Sequence, residues 1–331
     1  MGHGKKMQTA AALVFCAVCL MIAGGLMFGA TESKDASENS KPYVAIIAKS
    51  TTSAYWKSTF AGAKAAGTAY NLELSFEGPE NEEDYETQNE MIRAAVQRGA
   101  GAIVFSAVDY NANAKAIEEA AGAGVKIVVI DSDVNSNSVS CRISTDNYQA
   151  GQMAAEAVLE AEWEELKVGI VNFDENSQNG QEREQGFRDA SAESERVRII
   201  DSINVISTTE EAKNGTIQML KEHPDINVIV TFNEWTSLGV GYAIEELRLG
   251  EDVTVVAFDS NVVSVGMLET GEVDALIVQN PYAMGYLGVE YAYDLINGIK
   301  LKETEVYTST TLVTKENMFE PECQRALFSF D

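Results

Sequence analysis

A chain of 331 residues exceeds what a single hydrophobic core usually serves, so two domains behind a leader are expected. Hydrophobic residues make up 45% and prolines number only 5, which argues for a globular protein and against disorder. With 51 acidic against 24 basic residues the formal charge is −27, which argues against a nucleic-acid partner because phosphate backbones need a basic footprint.

The amino terminus differs from the rest. Residues 1–31 carry Lys5 and Lys6 but no acidic residue, and 9–30 is an uncharged, mostly apolar run. This pattern predicts a signal peptide or membrane anchor over 1–30, with the positive end held inside. Its length also permits a spanning helix. Cys16 and Cys19 follow Phe15 and Val18, which lack the small side chains that lipoprotein processing requires. Residues 31–42 are polar and read as a flexible linker. The folded part is thus expected outside a membrane, tethered to it or free in the periplasm.

From residue 43 strand and helix signals alternate. Strands are expected at 43–48, 72–76, 102–106 and 126–131, with helices at 54–70, 82–98 and 112–123 between them. Single-helix crossovers make such strands parallel. A second half repeats the plan, with strands at 167–173, 197–206, 228–232, 253–258 and near Ala275. Helices are expected at 148–159, 181–192, 210–221, 236–247 and 282–296, followed by a β-rich segment at 306–313. The fold class is α/β, two doubly wound lobes of similar size with a cleft between the carboxyl ends of their sheets.

Five apolar runs stop at a polar residue: Ser106, Asp131, Asn233, Asp259 and Gln279. Open α/β sheets bind ligands at those strand ends, although Ser, Asp and Asn also begin ordinary loops. Ser53-Ala-Tyr55-Trp56, after the first strand, sets adjacent aromatics near the same sheet edge. The acidic runs 80–84 and 160–165 read as solvated faces.

Catalytic and metal signatures are weak. His3 lies in the leader and His223 in a turn-like Glu-His-Pro-Asp, so no His triad or His-rich metal site is supported. Neither a nucleophile elbow nor a phosphate loop is present. Gly239-Val-Gly241-Tyr-Ala-Ile244 imitates a dinucleotide fingerprint but falls inside a helix and has Ile where the third small residue belongs. Cys141 and Cys323, the cysteines beyond the leader, read as unrelated thiols. A disulfide between them stays open because sequence cannot establish their proximity. Strand-end carboxylates and amides have a simpler use than catalysis, which is to hold hydroxyl groups.

From 41 to about 315 the sequence resembles the type I periplasmic-binding-protein family, most of all its ribose- and galactose-binding branch. The motifs that carry this are Ser53-Ala-Tyr55-Trp56, Val129-Ile-Asp131, Ser144-Thr-Asp-Asn147 before Ala150-Gly151, and Glu182-Arg183-Glu-Gln-Gly-Phe187. Phe232-Asn233-Glu234, Ala257-Phe-Asp259 and Val278-Gln279-Asn-Pro281 complete the set, in the family's order and spacing. The resemblance implies two Rossmann-like lobes joined by a hinge of three crossovers: 43–145 plus 280–306, and 146–279 plus 307–317, with 318–331 as an extension. It further implies a monomer that binds a sugar without turnover or cofactor and presents it to an ABC permease or, alternatively, a sensor kinase. Carried over, the ligand set falls on Ser53, Tyr55, Trp56, Ser106, Asp131, Arg183, Asn233, Asp259 and Gln279. Ribose-type members have Asn and two Phe where Ser53, Tyr55 and Trp56 stand, and Asn where Ser106 stands, which puts ribose itself in doubt. Trp235 is either a replacement wall or packing beneath the loop.

Overall fold

The computed structural model describes residues 41–328; the expected leader, most of the linker and residues 329–331 lie outside them. Among the described residues no helix is long and apolar enough to cross a membrane. The first lobe opens with β1 (Tyr43–Ile47), α1 (Ala54–Ala69), β2 (Glu73–Glu77), α2 (Tyr85–Gln97) and β3 (Ala102–Phe105). It continues through α3 (Ala114–Gly122), β4 (Lys126–Ile130) and β5 (Cys141–Ser144). The second lobe holds α4 (Asn147–Leu159), β6 (Leu166–Asn172), α5 (Gln178–Ser191), β7 (Val197–Asn204), α6 (Thr209–Glu222) and β8 (Val228–Thr231). Next come α7 (Glu234–Leu247), β9 (Thr254–Phe258), α8 (Val262–Thr270) and β10 (Ala275–Val278). The chain then returns to the first lobe for α9 (Pro281–Ile296) and β11 (Glu305–Tyr307) before ending in β12 (Thr311–Thr314) and α10 (Pro321–Leu327) of the second.

Each lobe is built on a six-stranded sheet, and the orders correspond strand for strand: β11-β5-β4-β3-β1-β2 and β12-β10-β9-β8-β6-β7. All pairings are parallel except β10 with β12. The continuous apolar runs follow from burial on both faces. In β1, Val44 and Ile46 pack towards α1 and α9, while Ala45 and Ile47 pack towards α2 and α3. In β9, Val255 and Ala257 face α6 and α7, and Val256 and Phe258 face α4 and α5. Each such Val, Ile or Phe contributes roughly 1.5–3 kcal/mol by leaving water. The edge strands β2 and β7 are only half-buried.

The helix pairs that flank the sheets approach at glycine. A Cβ on Gly62 or Gly285 would strike the backbone of the opposite helix in the α1–α9 pair, and Gly151 and Gly186 play the same part between α4 and α5. The second pair is seated around the Arg183 carbonyl, so this close approach also fixes where Arg183 starts.

Several elements differ from expectation. β5 was not anticipated: Cys141 and Ile143 point inward while Arg142 and Ser144 are half-buried, an alternation too short to stand out. α8 and α10 were also missed; the apolar residues of α8 show no helical period, since Val262 at its start is exposed and Val265 and Leu268 are buried. The β-rich segment at 306–313 is two strands belonging to different sheets, with the chain passing between lobes after Tyr307. Cys141 and Cys323 are both free and buried, one in each lobe.

Candidate functional site

β4 and β9 occupy the same place in their sheets, and each ends in an aspartate with left-handed backbone, φ 59° at Asp131 and 67° at Asp259. Asp tolerates this region better than most residues. The two turns are also bonded alike: Asp131 N–H donates to the Ile143 carbonyl at 3.0 Å and Asp259 N–H to the Ile277 carbonyl at 3.0 Å. The bend turns each carboxylate off its strand axis into the space between the lobes.

That space is a narrow cavity of about 30 Å³, and eight of the nine residues expected to hold ligand line it. Ser53, Tyr55, Trp56 and Asp131 come from the first lobe; Arg183, Asn233, Asp259 and Gln279 come from the second. Ser106 is the exception. Fully buried behind the wall, it donates its hydroxyl to Asp131 Oδ2 at 2.9 Å, so its short side chain braces a carboxylate and does not reach the cavity.

Asp131 Oδ1 accepts the Tyr55 hydroxyl at 2.9 Å and Asn179 Nδ2, across the cleft, at 3.2 Å. Burial, then the Asp131 charge, push the Tyr55 phenol well above its ordinary range, so it remains a donor. Asp259 Oδ1 accepts Gln279 Nε2 at 2.7 Å. Gln279 Oε1 in turn accepts Arg183 Nη2 and the Thr145 hydroxyl, both at 2.7 Å. Arg183 is 1% exposed, donates to Asn147 Oδ1 and the Phe232 carbonyl, and lies 5.0 Å from the Phe258 ring centre. Its guanidinium is therefore held rigidly by neutral partners. Asn233 caps α7 with its oxygen, accepting Thr236 N–H at 2.9 Å, and donates Nδ2 to Ser207 Oγ at 2.8 Å.

The cavity also holds Lys49, Glu82, Phe173, Asn179, Glu234 and Trp235, of which only Trp235 was weighed from sequence. Lys49, 2% exposed, donates to Ser177 Oγ of the other lobe at 2.6 Å and stands 5.0 Å from the Phe173 ring centre. It follows β1, so the strand-end reasoning applied to β4 and β9 would have found it. Glu82 overturns the reading of 80–84 as a solvated face. It is buried, accepts Trp56 Nε1 at 2.9 Å and the Ser207 hydroxyl at 3.3 Å, and precedes α2, which starts only at Tyr85. Trp56 is thereby committed to Glu82 and meets Tyr55 edge-on, ring centres 5.1 Å apart.

Four carboxylates and two cations share this wall. Burial raises Asp259 to about 7; Arg183 and the Gln279 bond oppose the rise, and the Glu234 and Asp131 charges add to it. Burial also raises Glu82, opposed by Lys49 and the Trp56 bond. Carboxylate acceptors, cationic donors, amides and flat aromatic walls together suit a compact hydroxyl-rich molecule that both donates and accepts.

Comparison with known proteins agrees with this geometry. The model of the periplasmic binding protein domain matches residues 44–300. The ribose import binding protein RbsB of Bacillus subtilis is 26% identical over 223 residues, 67% of this chain and 71% of that protein. A carbohydrate transporter solute-binding protein from Agrobacterium radiobacter, solved with D-arabinose, superposes with a TM-score of 0.83 at 30% identity, covering 88% of this chain and all of the other. A chain solved as the XylFII-LytSN complex gives 0.77 at 26% identity, covering 83% of this chain and 98% of that one. The Bacillus subtilis and Agrobacterium radiobacter relatives are sugar-binding components of transport systems, not enzymes. With the family match spanning both corresponding lobes, this chain belongs to the periplasmic binding proteins, in their type I, sugar-binding branch.

Proposed function

We propose that this chain is an extracytoplasmic solute-binding protein that takes a sugar or sugar-like small molecule into the interlobe cavity and delivers it to an ABC importer. The observation that carries the reading is the convergence of Asp131 with Arg183, Asn233, Asp259 and Gln279, from opposite lobes, on one cavity walled by Tyr55 and Trp235. Lys49 joins this ligand set as a further donor, and Ser106 serves it through Asp131. The lobes hinge where the chain passes between sheets, at 145–146, 279–280 and 308–310. A ligand touching both halves favours the closed form by its differential contacts, a population shift without bond making or breaking. The protein acts as a monomer, and residues 1–30 export it or tether it to the membrane.

A thermal-shift screen of pentoses, hexoses and polyols tests the ligand class, because binding to the native form raises its melting temperature. For any sugar found, Asp259→Ala is expected to lower affinity at least tenfold while leaving the protein folded. Unchanged calorimetric binding by that variant would count against the assignment.

The neighbour solved in the XylFII-LytSN complex favours a second reading, in which the closed form is presented to a membrane sensor kinase. Co-purification with a permease or with a kinase ectodomain, with and without sugar, separates the two.

A further inference from the structure

Glu234 stands at the first position of α7, directly after the capping residue Asn233, and is only 6% exposed. Its carboxylate does not bond within its own helix. Oε1 accepts the Ala54 N–H at 3.1 Å and Oε2 accepts the Tyr55 N–H at 3.0 Å. Those two groups are among the free donors at the start of α1, a 16-residue helix of the opposite lobe. The carboxylate therefore meets the positive end of a helix dipole as well as two N–H groups, an arrangement that holds anions well. Asn261 Nδ2, from the cap of α8 in the second lobe, donates to Oε1 at 3.0 Å and steadies the side chain from behind.

We propose that Glu234 is the clasp of the closed form, a positioning residue that docks the second lobe onto the amino end of α1 and so sets how long a ligand stays. This inference rests on the binding function proposed above. The docked segment is the one that presents Ser53, Tyr55 and Trp56 to the cavity. Tyr55 is bonded at both ends, its backbone to Glu234 and its hydroxyl to Asp131. When the lobes separate, both N–H bonds to Glu234 break together, since donor and acceptor belong to different halves. Charge-assisted bonds of this kind are about twice as strong as neutral ones. The clasp acts on the closed state as a whole, whichever hydroxyls the guest carries.

The test compares wild type with Glu234→Gln and Glu234→Asp. The first keeps the length and loses the charge; the second keeps the charge and falls short of the helix. Amide exchange of the segment containing Ala54 and Tyr55, measured at saturating sugar so that the closed form is populated, is expected to quicken at least fivefold in both variants while the start of α9 is unchanged. Unaltered exchange overturns the clasp. Stopped-flow binding is then run with D-arabinose, D-ribose and D-galactose. For every sugar that wild type binds, dissociation is expected to accelerate by a common factor of about ten, with association changed less than twofold. A factor differing strongly from sugar to sugar would show that Glu234 reads the ligand, and would overturn the positioning role. If wild type binds none of the three, the failure belongs to the proposed ligand class and not to the clasp, whose exchange is then measured with the sugar or polyol that the thermal-shift screen returns.

Discussion

Asp259 illustrates the electrostatic cost of placing a carboxyl group, here one proposed to hold ligand, in the wall of the cavity. The residue is 5% exposed, and burial pushes its carboxyl from the ordinary 3.8 up to about 7, against the help of Arg183 and Gln279, while Glu234 and Asp131 add repulsion. Between pH 4 and 7 the unfolded chain is ionised at this residue and the folded protein retains its proton. The folded state then binds more protons, so stability falls as pH rises through that window and levels off above 7. Asp259→Asn removes this slope. Its melting temperature relative to wild type is expected to climb between pH 4 and pH 7.5, by the equivalent of a few kcal/mol at ~1.36 kcal/mol per pH unit. A constant difference across that range would contradict the assignment. The electrostatic strain sits where a ligand hydroxyl would relieve it, since an added donor stabilises the charged form.

At the scale of elements, the site depends on helix pairs packed backbone to backbone. Gly151 of α4 lies against the Arg183 carbonyl of α5, and Gly285 of α9 lies against the Thr59 carbonyl of α1. Neither neighbour is a flexible side chain, so an added methyl group must move a whole helix. Gly151→Ala is expected to destabilise by about 1–3 kcal/mol and to weaken sugar binding through displaced Arg183. Gly285→Ala is expected to cost a similar amount and to disturb Tyr55 and Trp56 on α1. Urea midpoints with calorimetric affinities for both variants check this, and unchanged midpoints would refute it. The strand ends show the complementary principle: β4 and β9 are clamped in the middle of their sheets, so the residues after them are placed by the most buried backbone of each lobe.

For the whole molecule, charge and hinge geometry act together. The formal charge of −27 and a cavity with four carboxylates against two cations disfavour anionic guests. A neutral sugar is expected to bind at least tenfold more tightly than its phosphate ester at 0.15 M salt, as competition calorimetry would report; equal affinity would mean that Lys49 and Arg183 dominate the field. The crossovers are wired into the site. Gln279, in the second, accepts both Thr145, in the first, and Arg183 on its side-chain oxygen, so the joints between the lobes and the cavity-lining groups form one network. Lys49 with Ser177 and Asn179 with Asp131 add further bonds across the cleft.

The alternation of strand and helix, the two-lobed plan and the polar strand ends Asp131, Asn233, Asp259 and Gln279 were legible from the amino acids. A strand buried on both faces must be apolar along its length, and its end announces itself by the return of polarity. The motif order led to Arg183 and the Ser53–Trp56 segment as well. What the chain alone could not decide was which charged residues leave water. Glu82 sits in an acidic run that reads as surface, and Glu234 follows a helix cap as any first-turn glutamate does; both are buried through partners on distant segments, Glu82 by Trp56 and Ser207, Glu234 by the start of α1. Ser106 shows the converse, a strand-end residue whose short side chain meets Asp131 before it meets the cavity. Burial of a charge is settled by groups supplied from elsewhere in the fold, which the packing within a lobe brings together for Trp56 and Glu82 and the docking of the two lobes for Ser207 and the start of α1.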